Sequence, residues 1–354
     1  GIIPAMAQEK KEMVVINLMN RENRPEGPAD DPSTTIVAAA PRSGMNLVQL
    51  KENYQAILKA KAVFYPVAYQ FLREMGKGRQ GIVFLGLRQG ARGCITQFAI
   101  KVFEPSVYRS VEEYWTDMGR IAHQLSQLQR MQSSNLVSSY SYEETFGIGY
   151  IQMEAIDGLD LRRMLMPDHL ELAKQKSSAK DWARFTRTIF RIENDRICLQ
   201  PGVAVFILRG VLRGLERVHS ANFLHSDIKP GNIMIDRLGN VKMVDFGRAV
   251  MIGEKVSFLF GSPMYMAPEI HRREAGSTAS DCYSLGLVAL EMLRGERLAP
   301  DNTPEDDLLK IKLDLPNRIA ELLPKHVAVN QSLVSILRKL VDPDPARRFA
   351  SARE

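Results

Sequence analysis

The sequence predicts an α+β fold in two lobes, a small β-rich lobe followed by a larger helical one. Three observations predict it. From about Phe64, short β-branched and aromatic runs at 82–87, 98–103 and 147–155 alternate with turn residues. Beyond Leu161 the apolar spacing turns mainly helical, with one strand-like interlude at 232–246. The chain has 354 residues, 45% hydrophobic and 25% charged. That is enough to bury a substantial core in two units or one large bilobal one.

In chain order, residues 1–46 read as a flexible leader. Pro25, Pro28, Pro32 and Pro41 stand there among acidic and hydroxyl residues, a composition that cannot bury a core. Residues 47–66 read as a helical extension, because Leu47, Leu50, Tyr54, Ile57 and Leu58 recur at three- and four-residue spacing. Such a helix needs a partner surface, expected on the domain that follows. The first two strands flank a Gly-rich turn at 89–93. A polar helix is expected over about 110–131 and another over 203–219. Between them, at 162–200, lies a basic segment with an amphipathic pattern through Trp182, Phe185, Ile189 and Ile192. No internal repeat is present.

Composition excludes several classes. It is that of a globular chain, which removes wholesale disorder, collagen and a disulfide scaffold. Cys94, Cys198 and Cys282 stand far apart, without a CxxC pair or a nearby His at ligand spacing. They read as reduced thiols of an intracellular protein, cytoplasmic or organellar, and not as a zinc site. No apolar run reaches the ~18–20 residues of a membrane span. With 47 Lys+Arg against 41 Asp+Glu the net charge is +6. Residues 159–199 hold nine basic and six acidic residues, half of that excess. The segment reads either as a solvated insertion with one packed helix or as a docking surface for an acidic partner. A nucleic-acid partner is not expected.

The chemistry-bearing residues form a series. Gly76, Gly78 and Gly81 make a GxGxxGxV turn with Val83, between strand-like segments. Glycines there let backbone N–H groups approach phosphates without a Cβ in the way. A dinucleotide fold would need a helix after the glycines, and a strand follows instead. Lys101 stands mid-strand between Ile100 and Val102, where it must find an anion or leave the sheet. Residues 225–234 place Asp227, Lys229 and Asn232 on a loop that Pro230 and Gly231 keep non-helical. Phosphoryl transfer to a hydroxyl needs such a set: a carboxylate to accept the proton, a cation for the migrating group and an amide oxygen for Mg²⁺. Asp245, at the end of the apolar run 241–244, is a second hard-oxygen donor.

In this order, these residues resemble the eukaryotic-type protein kinase family. The segment 261–269, ending Ala267-Pro268-Glu269, resembles its activation-segment anchor. The run Asp281-Cys282-Tyr283-Ser284-Leu285-Gly286 resembles the helix supporting its catalytic loop, and 344–348 its late Asp-Pro-x-x-Arg segment. The resemblance covers 67–354 and implies a kinase domain there, with an N-lobe of about 67–155 and a C-lobe of about 159–354. It implies ATP as phosphoryl donor, Mg²⁺ (Mn²⁺ as a stand-in) and a protein substrate phosphorylated on Ser or Thr. By resemblance, Gly76, Gly78 and Gly81 cover the phosphates and Lys101 contacts them. Asp227 is the catalytic base, Lys229 approaches the γ-phosphate, and Asn232 and Asp245 hold the metal. Met153 is the gatekeeper, the Glu154 carbonyl and Ile156 amide meet adenine, and Asp160 reaches the ribose. Val83, Ala99 and Met234 sandwich the base, and Arg348 pairs with Glu269. The late stop after Arg348 is expected to belong to a longer protein.

Three departures accompany the resemblance. The family pairs its strand lysine with a glutamate on the next helix. Here that position falls on Gln124, with Leu128 one turn on, and Asp117 or Glu113 on roughly the same face as alternatives. Ser226 replaces the arginine before the catalytic Asp, so activity is expected not to need a phosphorylated loop. Ser257, Ser262 and Tyr265 are the only hydroxyls of that loop. Gln80 stands at the glycine-loop tip, where a minor effect is expected. The alternatives are a nucleotide-binding scaffold without transfer and a small-molecule phosphotransferase.

Overall fold

β-Branched and aromatic residues alternating over 70–103 build the first lobe as an antiparallel sheet. A computed structural model describes residues 69–193, 196–255 and 261–354, together with Tyr54, Gln55, Leu58 and Lys59. The chain divides into Gly1–Val67 and Ala68–Glu354. In the first unit the four described residues are helical. The leader and the remaining positions of the 47–66 pattern lie outside the described residues.

The second unit opens with β1 (Gln70–Gly78), β2 (Gly81–Gln89) and β3 (Ile95–Phe103). Helix α1 (Val111–Leu128) follows, then β4 (Ser139–Thr145) and β5 (Ile148–Glu154). The sheet order is β1-β2-β3-β5-β4, antiparallel throughout. The strand pattern had marked β2, β3 and β5. It did not mark β4, whose Ser-Tyr-Ser-Tyr-Glu-Glu-Thr sequence lies on the sheet edge and is mostly solvent-facing. Helix α1 begins at Ser110, whose side chain accepts the Glu113 N–H at 3.2 Å. It buries Tyr114, Met118, Ile121 and Leu125, one stripe at helical spacing, against Phe103 and Ile151 of the sheet.

The helical lobe starts with β6 (Gly158–Asp160), α2 (Leu161–Met164), α3 (Pro167–Gln175) and α4 (Ala179–Thr188). A hairpin of β7 (Phe190–Glu193) and β8 (Arg196–Leu199) comes next. The amphipathic pattern through Ile192 is therefore corrected: the helix ends at Thr188. Phe190 and Leu199, paired across the hairpin, are both in the core, while Ile192, opposite Ile197, is 56% exposed. Trp182, Phe185 and Ile189 pack against the same core, so the basic segment is folded into the lobe.

Then come α5 (Pro201–Ser220), the short β9 (Phe223–Leu224), β10 (Ile233–Asp236), β11 (Val241–Met243) and β12 (Val250–Met251). Strands β11, β10 and β6 form one small sheet, and β12 pairs with β9. The remaining helices are α6 (Pro268–His271), α7 (Thr278–Arg294), α8 (Glu305–Leu322), α9 (Lys325–Ala328) and α10 (Gln331–Leu340). Helix α7 is buried on every side along 279–293 and forms the axis of the lobe. It ends at Gly295, whose left-handed φ of 71° suits only glycine there, beside the Ile197 carbonyl. Among the described residues, no helix is long and apolar enough to cross a membrane.

Candidate active site

Asp281, buried near the start of α7, organises the loop that carries Asp227. Its Oδ1 accepts the Ser226 N–H at 2.9 Å, and its Oδ2 accepts the His225 N–H at 2.9 Å and the His219 Nε2 proton at 3.0 Å. Burial opposes its ionisation, but the bonds from His219, His225 and Ser226 outweigh it, and its pKa falls. These bonds hold Ser226 in the left-handed region, φ 63°, which costs a non-glycine on the order of 1–3 kcal/mol. His225 is fully buried and its pKa is lowered by that burial. Its Nε2 lies 3.2 Å from the Val244 carbonyl, which can only accept. The Nδ1 atom is therefore free of a proton and takes the Asp227 N–H at 3.3 Å.

Three side chains converge on Asp227. Lys229 Nζ donates to Oδ2 at 2.6 Å and to Ser262 Oγ at 3.2 Å, tying the loop to the 261–269 segment. Asn232 Nδ2 donates to the Asp227 carbonyl at 2.8 Å and to Oδ2 at 2.9 Å. Arg248 Nη1 donates to the Ser226 carbonyl at 3.0 Å and approaches Asp227 Oδ1 at 3.4 Å. Asn232 thus uses its amide nitrogen inside the loop, and its oxygen is the atom left to face a cation.

Across the cleft, Lys101 Nζ donates to Asp245 Oδ1 at 2.6 Å. Burial works against ionisation of Asp245, yet Lys101, with Lys229 and the Gly247 N–H, overcomes it and holds the pKa at about 2. Asp245 also sits in the left-handed region, φ 63°. An ionised carboxylate and an amide oxygen are the hard donors that Mg²⁺ takes, so Asp245 and Asn232 fit that ion. The second acceptor for Lys101 is Gln80 Oε1 at 3.3 Å. Gln80 is buried although it stands in the glycine turn, 6% exposed.

Neither alternative acid on α1 meets Lys101. Glu113 accepts the Arg109 N–H at 2.8 Å, and Asp117 is held by Arg120 and the Tyr108 hydroxyl. Gln124 accepts from Arg120 Nη1 at 2.7 Å.

The expected nucleotide-binding residues fall on two sheets. Val83 pairs with Lys101 across β2–β3, and Ala99 pairs with Met153 across β3–β5. Met234 on β10 pairs with Asp160 on β6. A Cβ on Gly76 would stand in open space and one on Gly78 would only touch the Gly81 carbonyl at 3.9 Å, whereas one on Gly81 would collide with the Val102 carbonyl. Only Gly81 is thus demanded by the packing of the hairpin itself. The Glu154 side chain pairs with Lys242 at 2.5 Å, and Ile156 is buried just beyond the strand. The Asp160 carboxylate accepts the Arg163 N–H at 2.9 Å and so caps its own helix. Ser262 is described, but Ser257 lies outside the described residues.

Sequence reasoning passed over Arg120, Arg248 and Lys312. Arg248 directly follows Asp-Phe-Gly, and Arg120 stands one turn before Gln124, so both were within reach of a helical-wheel or motif-neighbour argument. A buried lysine on α8 has no such signal.

The family model described as protein kinase domain matches residues 69–354. The Bacillus subtilis serine/threonine-protein kinase PrkC is 28% identical over 295 residues, covering 81% of this chain and 39% of that protein. The Schizosaccharomyces pombe serine/threonine-protein kinase sid1 is 31% identical over 241 residues, 65% of this chain and 42% of that protein. A putative ribosomal protein S6 kinase alpha-1 of Caenorhabditis elegans is 25% identical, with 34% of its length covered. The chain therefore spans well under half the length of these curated relatives.

Proposed function

The chain belongs to the protein kinase domain family, and on that premise we propose that it transfers the γ-phosphate of ATP to Ser or Thr hydroxyls of a protein. The observation that carries the reading is the cluster of Asp227, Lys229 and Asn232 facing the Lys101–Asp245 pair. In this mechanism Gly76, Gly78 and Gly81 cover the phosphates and Lys101 neutralises them. Val83, Ala99, Met153 and Met234 enclose the adenine, the Glu154 carbonyl and Ile156 amide orient it, and Asp160 meets the ribose. Asn232 and Asp245 would hold Mg²⁺, which when bound would compensate charge on the phosphates. Asp227 accepts the hydroxyl proton as the oxygen attacks the γ-phosphorus, the bond from that phosphorus to the β–γ bridging oxygen breaks, and ADP leaves. Lys229 steadies the migrating group while Ser262 keeps the acceptor in line.

We further propose that turnover does not depend on phosphorylation of the 245–269 segment. Ser226 supplies no cation for such a phosphate. The buried Arg248 already braces Ser226 and Asp227. The substrate, and any acidic partner of the basic segment 162–200, belong to this reading as proposals.

Radiolabelled ATP with Mg²⁺ and a generic basic protein tests it. The wild-type chain labels Ser or Thr, and Asp227→Ala abolishes labelling while nucleotide affinity stays nearly unchanged. Nucleotide binding without labelling by the wild type overturns transfer in favour of a scaffold. Labelling of small hydroxyl compounds alone overturns the protein substrate.

A further inference from the structure

The helix that normally supplies a carboxylate to the strand lysine has a neutral Gln124 at that place, and Lys101 bonds to Asp245 and Gln80 instead. A different strut joins α1 to the segment after Asp245. We propose that Arg120 is a positioning residue that docks α1 onto the 245–249 loop, in place of the missing lysine–glutamate pair. The proposal rests on the kinase reading above.

The Arg120 guanidinium uses its fork fully. Nη2 donates to the Gly247 carbonyl at 2.8 Å, and Nη1 to the Ala249 carbonyl at 3.2 Å and Gln124 Oε1 at 2.7 Å. Nε donates to Asp117 Oδ1 at 2.8 Å, with Nη2 at 2.6 Å from the same oxygen. Asp117 is itself fixed, because its Oδ2 accepts the Tyr108 hydroxyl at 2.7 Å. A chain of bonds thus runs from Tyr108 through Asp117 and Arg120 to two backbone carbonyls of the loop.

Those carbonyls matter because the same loop orients Asp245. The Gly247 N–H donates to Asp245 Oδ1 at 3.3 Å, the oxygen that also receives Lys101. Arg120 holds the carbonyl of that residue, and so limits how far the Gly247 N–H can swing from the carboxylate. A planar fork reaches two carbonyls and two side chains at once, which a single ammonium cannot do. Gln124 serves this arrangement as a neutral acceptor. A carboxylate there would face the Arg120 guanidinium directly.

The test is Arg120→Met in the full chain, read by Mg²⁺ titration of turnover and by affinity for a fluorescent ATP analogue with Mg²⁺ or with EDTA. The variant is expected to keep its thermal midpoint and its affinity in EDTA. It should lose turnover on the order of tenfold or more, the scale of a displaced catalytic group, and need several-fold more Mg²⁺. The double variant Arg120→Met, Gln124→Glu should regain part of the loss by offering a carboxylate to Lys101. Unchanged Mg²⁺ dependence overturns the proposal. So does a loss matched by a lower thermal midpoint and weaker affinity in EDTA, which marks a merely structural role. Absence of recovery in the double variant overturns the claim that Arg120 stands in for the pair. If the wild-type chain transfers no phosphate, the catalytic reading fails, while Mg²⁺-dependent nucleotide affinity still decides the role of Arg120.

Discussion

Ser226 and Arg248 together show how a single exchange alters the wiring around Asp227. The arginine usual in the family before Asp227 is absent, and a guanidinium enters from the residue after Asp-Phe-Gly instead. It is buried at 6% exposure, so it braces the loop from inside and not from the solvent side. Burial lowers its pKa, with Asp227 and Asp245 acting in the opposite sense. A cation built in this way is present before any modification. Phosphatase-treated enzyme is therefore expected to keep its turnover, measured by γ-phosphate transfer before and after treatment. A loss of most activity would show that a phosphorylated loop is required. Lys101, Asp227, Asn232 and Asp245 stood out in the sequence as candidates, and the structure pairs Lys101 with Asp245 and Asn232 with Asp227. The bonds of Gln80 and Arg120 were not legible there, since each depends on a partner far away in the chain.

At the scale of elements, α8 anchors the loop that ends the 245–269 segment. Lys312 is fully buried, and its Nζ donates to the carbonyls of Pro263 and Met266 at 2.6 and 2.7 Å. It also lies 2.9 Å from His271 Nε2, while His271 Nδ1 faces Glu305 at 3.0 Å. Three acceptors suit an ammonium, with the His271 proton on Nδ1 toward Glu305. Burial nevertheless lowers the Lys312 pKa from 10.5 to about 7, against the pull of Glu305. Between those values the unfolded chain holds one proton more, so stability gained from this group rises with pH across the window and is flat below it. The rise is limited to about 1.4 kcal/mol per pH unit. Urea unfolding at pH 7 and pH 9 should show that increment in the wild type and a smaller one in Lys312→Met. Equal increments would mean that Lys312 titrates as a free lysine. The hairpin β7–β8 teaches the same lesson about elements. Ile192 continues a helical spacing, yet it pairs with Ile197 across a hairpin and stays exposed, while Phe190, Ile197 and Leu199 enter the core.

Across the whole molecule, a buried ion pair joins the end of the chain to the anchor of the activation segment. Arg348 Nη1 and Nη2 meet Glu269 Oε1 and Oε2 at 2.7 and 2.8 Å, with both side chains buried. Ser280 adds a bond to the same carboxylate, and the Arg348 guanidinium lies over the Tyr283 ring. Removing one partner would leave an uncompensated buried charge. Arg348→Met is expected to destabilise the fold by about 3–5 kcal/mol, read by urea denaturation. A loss below about 1 kcal/mol, the range of exposed pairs, would show that water reaches Glu269.

The two-lobed α+β class, the order of its motifs and the side chains proposed as catalytic were set by local sequence. Strand alternation, helical stripes and turn residues act over a few neighbours, and the catalytic loop is contiguous. The pairing of Arg348 with Glu269 was also legible, through family resemblance and not through spacing. What only the tertiary structure decided is which polar groups meet across the cleft. Lys101 turned to Asp245 and Gln80, Arg120 to the Gly247 and Ala249 carbonyls, and Lys312 to a loop more than forty residues earlier. A buried charge must find whatever acceptor the packed elements bring within about 3 Å. That choice is made by the fold as a whole, and no local pattern along the chain encodes it.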